Sequence, residues 1–298
     1  MGRRVRWIGI GIGGALGLAA VFLGTLAVLS AARMNRAYAV AVDAPPVPSD
    51  AAAVAAGERL VAARGCADCH GDDLGGRLVF DDPAFGRLWA TNLTSGRGGV
   101  GPEFDDEAFA RAVWYGVGLD GRPLAMMPSA EYHRALDPVE LGQILAYLRG
   151  APPVDRETPA RRFGPMTWLG HVFGMMPLAA VEAIDTSAPP PAPIEAAATA
   201  AYGAQLAVFC SGCHGPDLAG QATPLNEPAP NLTPHETGLA GWTRDDLTRA
   251  LREGVRPDGT TMSDAMPWRN LGRMTDTEIA ALWAYLSGLE PRASAIGD

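Results

Sequence analysis

The chain has 298 residues, of which 48% are hydrophobic, and its formal net charge is −9. This acidic balance argues against nucleic-acid binding, which needs a basic surface. The length allows two domains, and the whole chain contains only four cysteines. An acidic surface would speed encounter with a basic protein partner, although it is equally typical of a merely soluble protein.

The first predicted element is a membrane-spanning helix. Three arginines, Arg3, Arg4 and Arg6, precede an uncharged run over residues 7–32. As a helix these 26 residues would extend about 39 Å, which exceeds the ~30 Å thickness of the hydrocarbon core. The arginines favour a cytoplasmic amino terminus. We therefore assign residues 1–33 as a single-pass anchor in the cytoplasmic membrane, with the remaining chain on the periplasmic side.

A cleavable secretory signal is the alternative interpretation of the same segment. Ala37-Tyr38-Ala39 would then be the cleavage site, and the mature chain would begin near Val40. An ordinary signal has an apolar region of only about 7–15 residues, so the length of the run favours the anchor.

Two proline-rich segments are predicted to be stiff spacers. Residues 44–48 would lift the first globular part off the membrane, and residues 188–193 would separate the two globular parts. The second spacer belongs to a predicted linker, residues 151–194. This linker also contains an apolar stretch, residues 163–184, which prolines interrupt too often for it to span a bilayer. We expect this stretch to pack across the two domains.

The same series of motifs occurs twice along the chain, in the same order. This repeat predicts two domains, residues 50–150 and residues 195–292. Each copy begins with a glycine-containing helix and ends with a helix that carries Ala-Tyr-Leu. Between them lie a Cys-x-x-Cys-His motif, an Asn-Leu-Thr segment, an acidic helix start and a Met-Pro pair, in that order.

The closing helix of each copy has apolar residues at helical spacing, and it is predicted to start at Asp137-Pro138 in the first copy and at residues 275–278, Thr-Asp-Thr-Glu, in the second. Tyr147 and Tyr285 are expected to pack on the first helix of their own copy. Gly57 and Gly203 stand at equivalent places in those first helices and would allow a close crossing. A glycine that merely interrupts a helix is the alternative, at a cost of about 1 kcal/mol.

The two Cys-x-x-Cys-His motifs use all four cysteines of the chain. They are Cys66-Ala67-Asp68-Cys69-His70 and Cys210-Ser211-Gly212-Cys213-His214. This pattern is the attachment signature of haem c, in which the thiols bond to the haem and the histidine ligates the iron. A zinc site with four thiolates and a thioredoxin-like redox motif are the alternatives. The histidine after each pair favours two covalent haems.

Two methionines are the best candidates for the sixth iron ligand. Met127 and Met266 each precede a proline on a loop that is predicted to enter the last helix, and thioether sulfur favours ferrous iron. Met126 is the main alternative in the first copy, and Met262 and Met274 are weaker alternatives in the second. The other histidines, His133, His171 and His235, are not predicted to be ligands.

Both copies resemble class I cytochrome c domains, of the kind found in the cytochrome subunits of membrane-bound periplasmic dehydrogenases. The resemblance is carried by residues 57–76, 90–94 and 120–149 in the first copy, and by residues 202–220, 230–260, 265–268 and 274–289 in the second. It implies an all-α fold of two tandem domains behind the anchor, with histidine and methionine as axial ligands. In this family the Asn-Leu-Thr segment lies near the haem edge, which suggests such a place for Asn92 and Asn231.

The expected function is that of an electron carrier with no substrate chemistry of its own. It would take single electrons from a periplasmic dehydrogenase or a quinol-oxidising complex and pass them to an oxidase or a soluble cytochrome. One alternative is an enzyme, either a dihaem peroxidase or a thiosulfate-oxidising cytochrome. Another is the dihaem subunit of a haem-copper oxidase, which such an anchored pair of domains also resembles.

Overall fold

The computed structural model of the protein describes residues 2–222 and 227–296. The predicted anchor includes residue 1 and the predicted second domain includes residues 223–226, and these positions lie outside the described residues. The framework is helical. Its helices are α1 (Gly2–Met34), α2 (Ala51–Ala63), α3 (Cys66–His70), α4 (Asp106–Tyr115), α5 (Ser129–Ala135), α6 (Pro138–Gly150), α7 (Pro165–Val172), α8 (Ala200–His214), α9 (Arg244–Glu253), α10 (Trp268–Leu271) and α11 (Asp276–Leu286).

The all-α prediction missed a small antiparallel sheet. Its strands are β1 (Leu78–Asp82), β2 (Gly86–Trp89) and β3 (Arg162–Phe163), in the order β1-β2-β3. The Asp82 carboxylate accepts the N–H groups of Ala84 and Phe85 and so forms the tight turn between β1 and β2. Short runs of apolar residues on both sides of that turn are a hairpin signal.

The crossing predicted at the two glycines is confirmed. We call residues 50–150 the first half and residues 195–292 the second half. A Cβ atom at Gly57, on α2, would lie 1.9 Å from the backbone oxygen of Gln143 on α6. A Cβ at Gly203, on α8, would lie 1.9 Å from the backbone oxygen of Ala281 on α11. Each closing helix therefore crosses the first helix of its own half in backbone contact.

The packing of the two tyrosines on those first helices is also confirmed. The Cβ atom of Tyr147 would lie 2.9 Å from a Cβ at Gly57, and that of Tyr285 would lie 2.8 Å from a Cβ at Gly203. A glycine and a tyrosine thus meet at both crossings, which explains why both residue types recur.

The halves differ where the first helix meets its motif. In the second half α8 runs without a break from Ala200 to His214. In the first half two more residues separate the glycine from the first cysteine, and the helix stops at Arg64 and Gly65. Gly65 takes φ +79°, a left-handed conformation that glycine adopts without strain. This break places Arg64 between the two halves.

The predicted helix starts are confirmed by their caps. Asp137 caps α6, and Thr275 caps α11 with Glu278 in a capping box. Asp105 caps α4, and Thr243 caps α9 in the same way as Thr275 caps α11. The expectation that each Met-Pro loop enters the last helix is wrong, because the prolines instead begin the short helices α5 and α10.

The two proline-rich segments lie against the first half instead of acting as spacers. The backbone oxygen of Pro46 lies 1.9 Å from the position of a Cβ on Gly142, in α6. The hydroxyl of Tyr115 donates a hydrogen bond of 3.0 Å to the carbonyl oxygen of Ala188. Both segments line one groove beside Trp114 and Tyr115. The sequence alone did not show the glycine and the aromatic residues that receive them.

Helix α1 is long and apolar enough to cross a membrane over Arg6–Met34, and its large apolar side chains from Trp7 to Leu29 are mostly exposed. The apolar stretch of residues 163–184 contacts this helix and the first half. Leu178 and Ala179 pack with Met34 and Met126. This differs from the expected position across the two domains.

Candidate functional site

The two motif histidines share one arrangement. His70 ends α3, and its Nδ1 lies 2.7 Å from the carbonyl oxygen of Thr91. His214 ends α8, and its Nδ1 lies 2.7 Å from the carbonyl oxygen of Pro230. Because a carbonyl only accepts, Nδ1 must be the donor in both bonds. This leaves Nε2 with a free electron pair, which is the state that an iron ligand needs.

Both histidines are also kept neutral. Burial lowers the pKa of His70 and of His214, and the backbone hydrogen bond only partly opposes that effect. A neutral imidazole can ligate a metal, whereas a protonated one cannot.

Two buried asparagines lie next to the carbonyl groups that accept the histidine hydrogen bonds. Asn92 and Asn231 each directly follow the residue whose carbonyl accepts the Nδ1 bond. The Asn92 amide donates to the carbonyl of Val154 at 2.7 Å, and the Asn231 amide donates to that of Arg292 at 2.7 Å. Both partners lie beyond the closing helix of their half. These bonds hold the start of the Asn-Leu-Thr segment in place. The carbonyl just before the asparagine is thereby positioned to accept the hydrogen bond from the motif histidine.

None of the four motif cysteines forms a disulfide bond. Burial raises the pKa of Cys66 to about 11 and that of Cys210 to about 12, and it raises the pKa of Cys69 and Cys213 as well. A raised thiol pKa is the opposite of the lowered pKa that activates a catalytic redox cysteine. Within residues 2–222 and 227–296, no group of three or more His, Cys, Asp or Glu side chains is placed to hold a metal ion. The two cysteine pairs are therefore not brought together into one four-thiolate site in this part of the chain.

The second half contains a cavity of about 430 Å³ next to its motif. Cys213 and His214 line this cavity, and so do Met262 and Met266. Apolar side chains fill most of the wall, among them Leu232, Leu239, Trp242, Leu247 and Leu251. A flat apolar group held by the cysteines and ligated by the histidine fits these surroundings, so the residues present suit a haem.

Hydrogen bonding distinguishes the candidate methionines. The Met127 carbonyl accepts an N–H two residues later at 2.8 Å, and the Met266 carbonyl does so at 2.7 Å. Met262 instead matches Leu124, because the N–H groups of both donate to a glycine carbonyl at 2.7 Å. Met127 and Met266 therefore occupy equivalent positions, each packed against the core of its own half.

The alternative methionines are engaged elsewhere or occupy different positions. Met126 has φ 56° and packs with Met34 and Leu178. Met274 is 2% exposed, within the core of the second half. Met262 lines the cavity, although its backbone position differs from that of Met127.

The two motifs approach each other across the contact between the halves. The Cys66 thiol lies 3.9 Å from the hydroxyl of Tyr132, and that hydroxyl donates to the Arg64 carbonyl at 2.8 Å. The Tyr132 ring lies 5.7 Å from the ring of Phe209, measured between centroids. Phe209 directly precedes Cys210. Two aromatic side chains, with ring planes tilted by 55°, thus lie between the first cysteine of one motif and the first cysteine of the other.

A buried ionic cluster holds this contact, and sequence reasoning missed it. The Arg64 side chain is fully buried, and its guanidinium donates to Glu140 on α6 and to Glu278 on α11. The second of these bonds is 2.6 Å long, and Arg59 reaches Glu278 at 2.6 Å. The first copy has two more residues than the second between the glycine and the first cysteine, and Arg64 lies in this longer segment. This difference in length was the feature of the sequence that could have indicated the cluster.

The matches to known proteins agree with this geometry. Residues 200–290 match the cytochrome c family. The part of the chain with the cavity and the second motif is thus a cytochrome c domain. A member of this family carries covalently bound haem.

Several curated proteins are similar to the chain. A nicotinate dehydrogenase subunit of Pseudomonas putida is 30% identical over 94% of this chain and 25% of its own length. The fructose dehydrogenase cytochrome subunit of Gluconobacter japonicus is 35% identical over 27% of this chain and 19% of its own length. A dihaem cytochrome c of Cereibacter sphaeroides is 29% identical over 28% of this chain and 32% of its own length. The chain spans about a quarter of the first of these relatives and less than a third of the others.

These matches confirm the resemblance to the cytochrome subunits of dehydrogenases and to dihaem cytochromes c. The family match covers the second half alone. The first half shares three contacts with the second, namely the histidine bond, the asparagine bond and the glycine crossing.

Proposed function

We propose that the protein is a membrane-anchored dihaem c-type cytochrome that relays single electrons. It would accept them from a dehydrogenase or a quinol-oxidising complex and donate them to an oxidase or a soluble carrier. The observation that carries this proposal is the same histidine-to-carbonyl bond behind both Cys-x-x-Cys-His motifs. In this proposal Cys66 and Cys69 hold one haem and Cys210 and Cys213 hold the other.

When bound, each haem supplies an iron centre that takes up and releases one electron. Around it the chain's own residues perform three tasks. His70 and His214 present a neutral Nε2, and Met127 and Met266 stand at the places proposed for the opposite ligand. The apolar side chains around the site limit the access of water, and this would help to set the reduction potential of the iron.

The contact between the halves supports an internal relay. Tyr132 and Phe209 bring the two motifs together, and the cluster around Arg64 fixes their separation. A fixed distance between the two proposed redox centres would keep the rate of electron transfer between them constant. The proposed partners are redox proteins, as the names of the dehydrogenase cytochrome subunits suggest.

We place the protein in the cytoplasmic membrane, with both halves on the periplasmic side. This placement is supported by the apolar length of α1 and by the arginines that precede its apolar run. Covalent haem attachment also suits a carrier outside the cytoplasm, since such a cofactor cannot dissociate.

The ligand assignment is tested by carbon monoxide. The reduced wild-type protein should not bind the gas, because Met127 and Met266 would each ligate one of the two irons. Met127→Ala should open one site, seen as a carbon monoxide difference spectrum that accounts for half of the haem. Met126→Ala is the matched control and should behave like the wild type, since that side chain packs away from the motif.

The opposite result, with Met126→Ala open and Met127→Ala closed, would contradict the assignment in the first half. Carbon monoxide binding to the wild type, together with sustained turnover of hydrogen peroxide or thiosulfate, would instead favour the enzyme alternative. Irons that were each ligated by a histidine and a methionine would leave no open position for such chemistry.

A further inference from the structure

The last turns of helix α1 pack against the globular part of the chain. Leu26, Ser30 and Met34, one turn apart on one face of the helix, are all buried. Helix α7 packs along this face. The Ser30 hydroxyl lies 2.9 Å from Nδ1 of His171, a side chain that is 1% exposed. The last turns of the anchor are therefore a fixed part of the globular structure.

Two contacts indicate that helix α7 runs antiparallel to α1. Met34, at the end of α1, packs in the cluster that contains Phe163, which lies just before α7. Ser30, one turn earlier in α1, contacts His171 near the end of α7. As α7 proceeds it therefore approaches the apolar part of α1, and the turn that follows it, residues 173–176, lies on the side of the membrane span.

The turn is unusually apolar and exposed. Phe173 is 61% exposed and Met175 is 68% exposed. No Asp, Glu, Lys or Arg occurs from Phe163 to Val181. In α1, Val28 lies within one turn of Ser30 and is 69% exposed. Large apolar side chains are costly to expose to water, and an exposed apolar patch marks an interaction surface.

The dimensions of α1 agree with a membrane at this level. The 20 residues from Arg6 to Thr25, which precede the first buried position, extend about 30 Å as a helix, which equals the thickness of the hydrocarbon core. The turn after α7 then lies where the hydrocarbon meets the headgroups, a depth at which aromatic and apolar side chains are stabilised.

We propose that residues 173–176 enter the lipid headgroup region, with Phe173 and Met175 in contact with acyl chains. This proposal rests on the proposed membrane anchor. The turn and α1 would then be two points of attachment that fix the orientation of the first half on the membrane. Arg33 reinforces this unit, because it pairs with Glu182 and donates to the carbonyl oxygens of His171 and Val172.

The test measures how fast single introduced cysteines react with a charged, water-soluble maleimide. The full-length protein would be placed in vesicles of phosphatidylethanolamine and phosphatidylglycerol, and peptide mass spectrometry would locate the label. The variants are Phe173→Cys and Met175→Cys, with Leu18→Cys inside the proposed span and Val139→Cys as the aqueous control. These side chains are 61%, 68%, 75% and 47% exposed, so each cysteine should be tolerated. The unsubstituted chain gives the background of the native cysteines, and rates in denaturant normalise the variants.

We expect positions 173 and 175 to react about tenfold or more slowly than position 139, and position 18 to be protected as well. If position 18 is protected while 173 and 175 react like 139, the turn does not enter the membrane, although the anchor stands. If position 18 also reacts freely, or is missing from the mature protein, the membrane anchor itself is refuted, and this inference with it.

Discussion

Replacing Arg64 with methionine should lower the free energy of unfolding by about 3–5 kcal/mol, because it removes the buried cation that pairs with both Glu140 and Glu278. The Arg64 side chain is fully buried, and its guanidinium lies 2.6 Å from Glu278 and 3.0 Å from Glu140. The measurement is denaturant unfolding of the purified holoprotein. Arg59→Met is the matched control. The Arg59 side chain is 28% exposed, so this change should cost only about 1 kcal/mol.

The contribution of this cluster to stability should depend on pH. Burial alone would raise the pKa of Glu278, but the charges of Arg64 and Arg59 and the backbone bond from Thr275 more than offset it, so the pKa lies below its ordinary value. A depressed pKa in the folded state contributes stability at neutral pH, and this stability is lost as the pH falls below about 4.3. The wild type should therefore lose stability on acidification through this group, and Arg64→Met should lose less. Equal unfolding free energies for Arg64→Met and Arg59→Met would contradict the role assigned to the cluster.

Replacing Gly203 with alanine should destabilise the second half by about 1–3 kcal/mol or more, because a methyl group has no room at the crossing. Its Cβ would lie 1.9 Å from the backbone oxygen of Ala281, and neither backbone can move without separating α8 from α11. Gly57→Ala should have the same effect on the first half. Thermal unfolding, followed by circular dichroism and haem absorbance, measures both.

Gly150→Ala is the matched control, since it also lies in a helix but meets nothing within 4 Å. This change should be neutral or stabilising, by at most about 1 kcal/mol. If Gly203→Ala is as well tolerated as Gly150→Ala, the helices do not cross in backbone contact.

The sequence predicted those features whose cause is local or occurs twice. The helix caps at Asp137 and Thr275 depend on residues within one turn. The glycine crossings could be predicted because Gly57 and Gly203 hold equivalent places, and a chance interruption would not recur. The motif histidines needed only the pattern of residues around them.

The rest depends on contacts between distant parts of the chain. Arg64 meets Glu278 across 214 positions, and no local pattern indicates that pairing. The proline-rich segments have the composition of spacers, yet Gly142 and Tyr115 provide surfaces on which they pack. The small sheet was missed because its three strands have only five, four and two residues. The bonds from Asn92 and Asn231 explain the Asn-Leu-Thr segment as support for the motif histidines, a role that the resemblance alone did not supply.

The number of covalent haems tests the central claim most directly. Protein denatured and extracted with acid acetone should retain two haems per chain, as measured by the pyridine haemochrome spectrum and intact mass. Cys66→Ala combined with Cys69→Ala should retain one, and the remaining haem should map to the peptide that contains Cys210 and Cys213. Retention of both haems by that double variant, or a single haem in the wild type, would contradict the account.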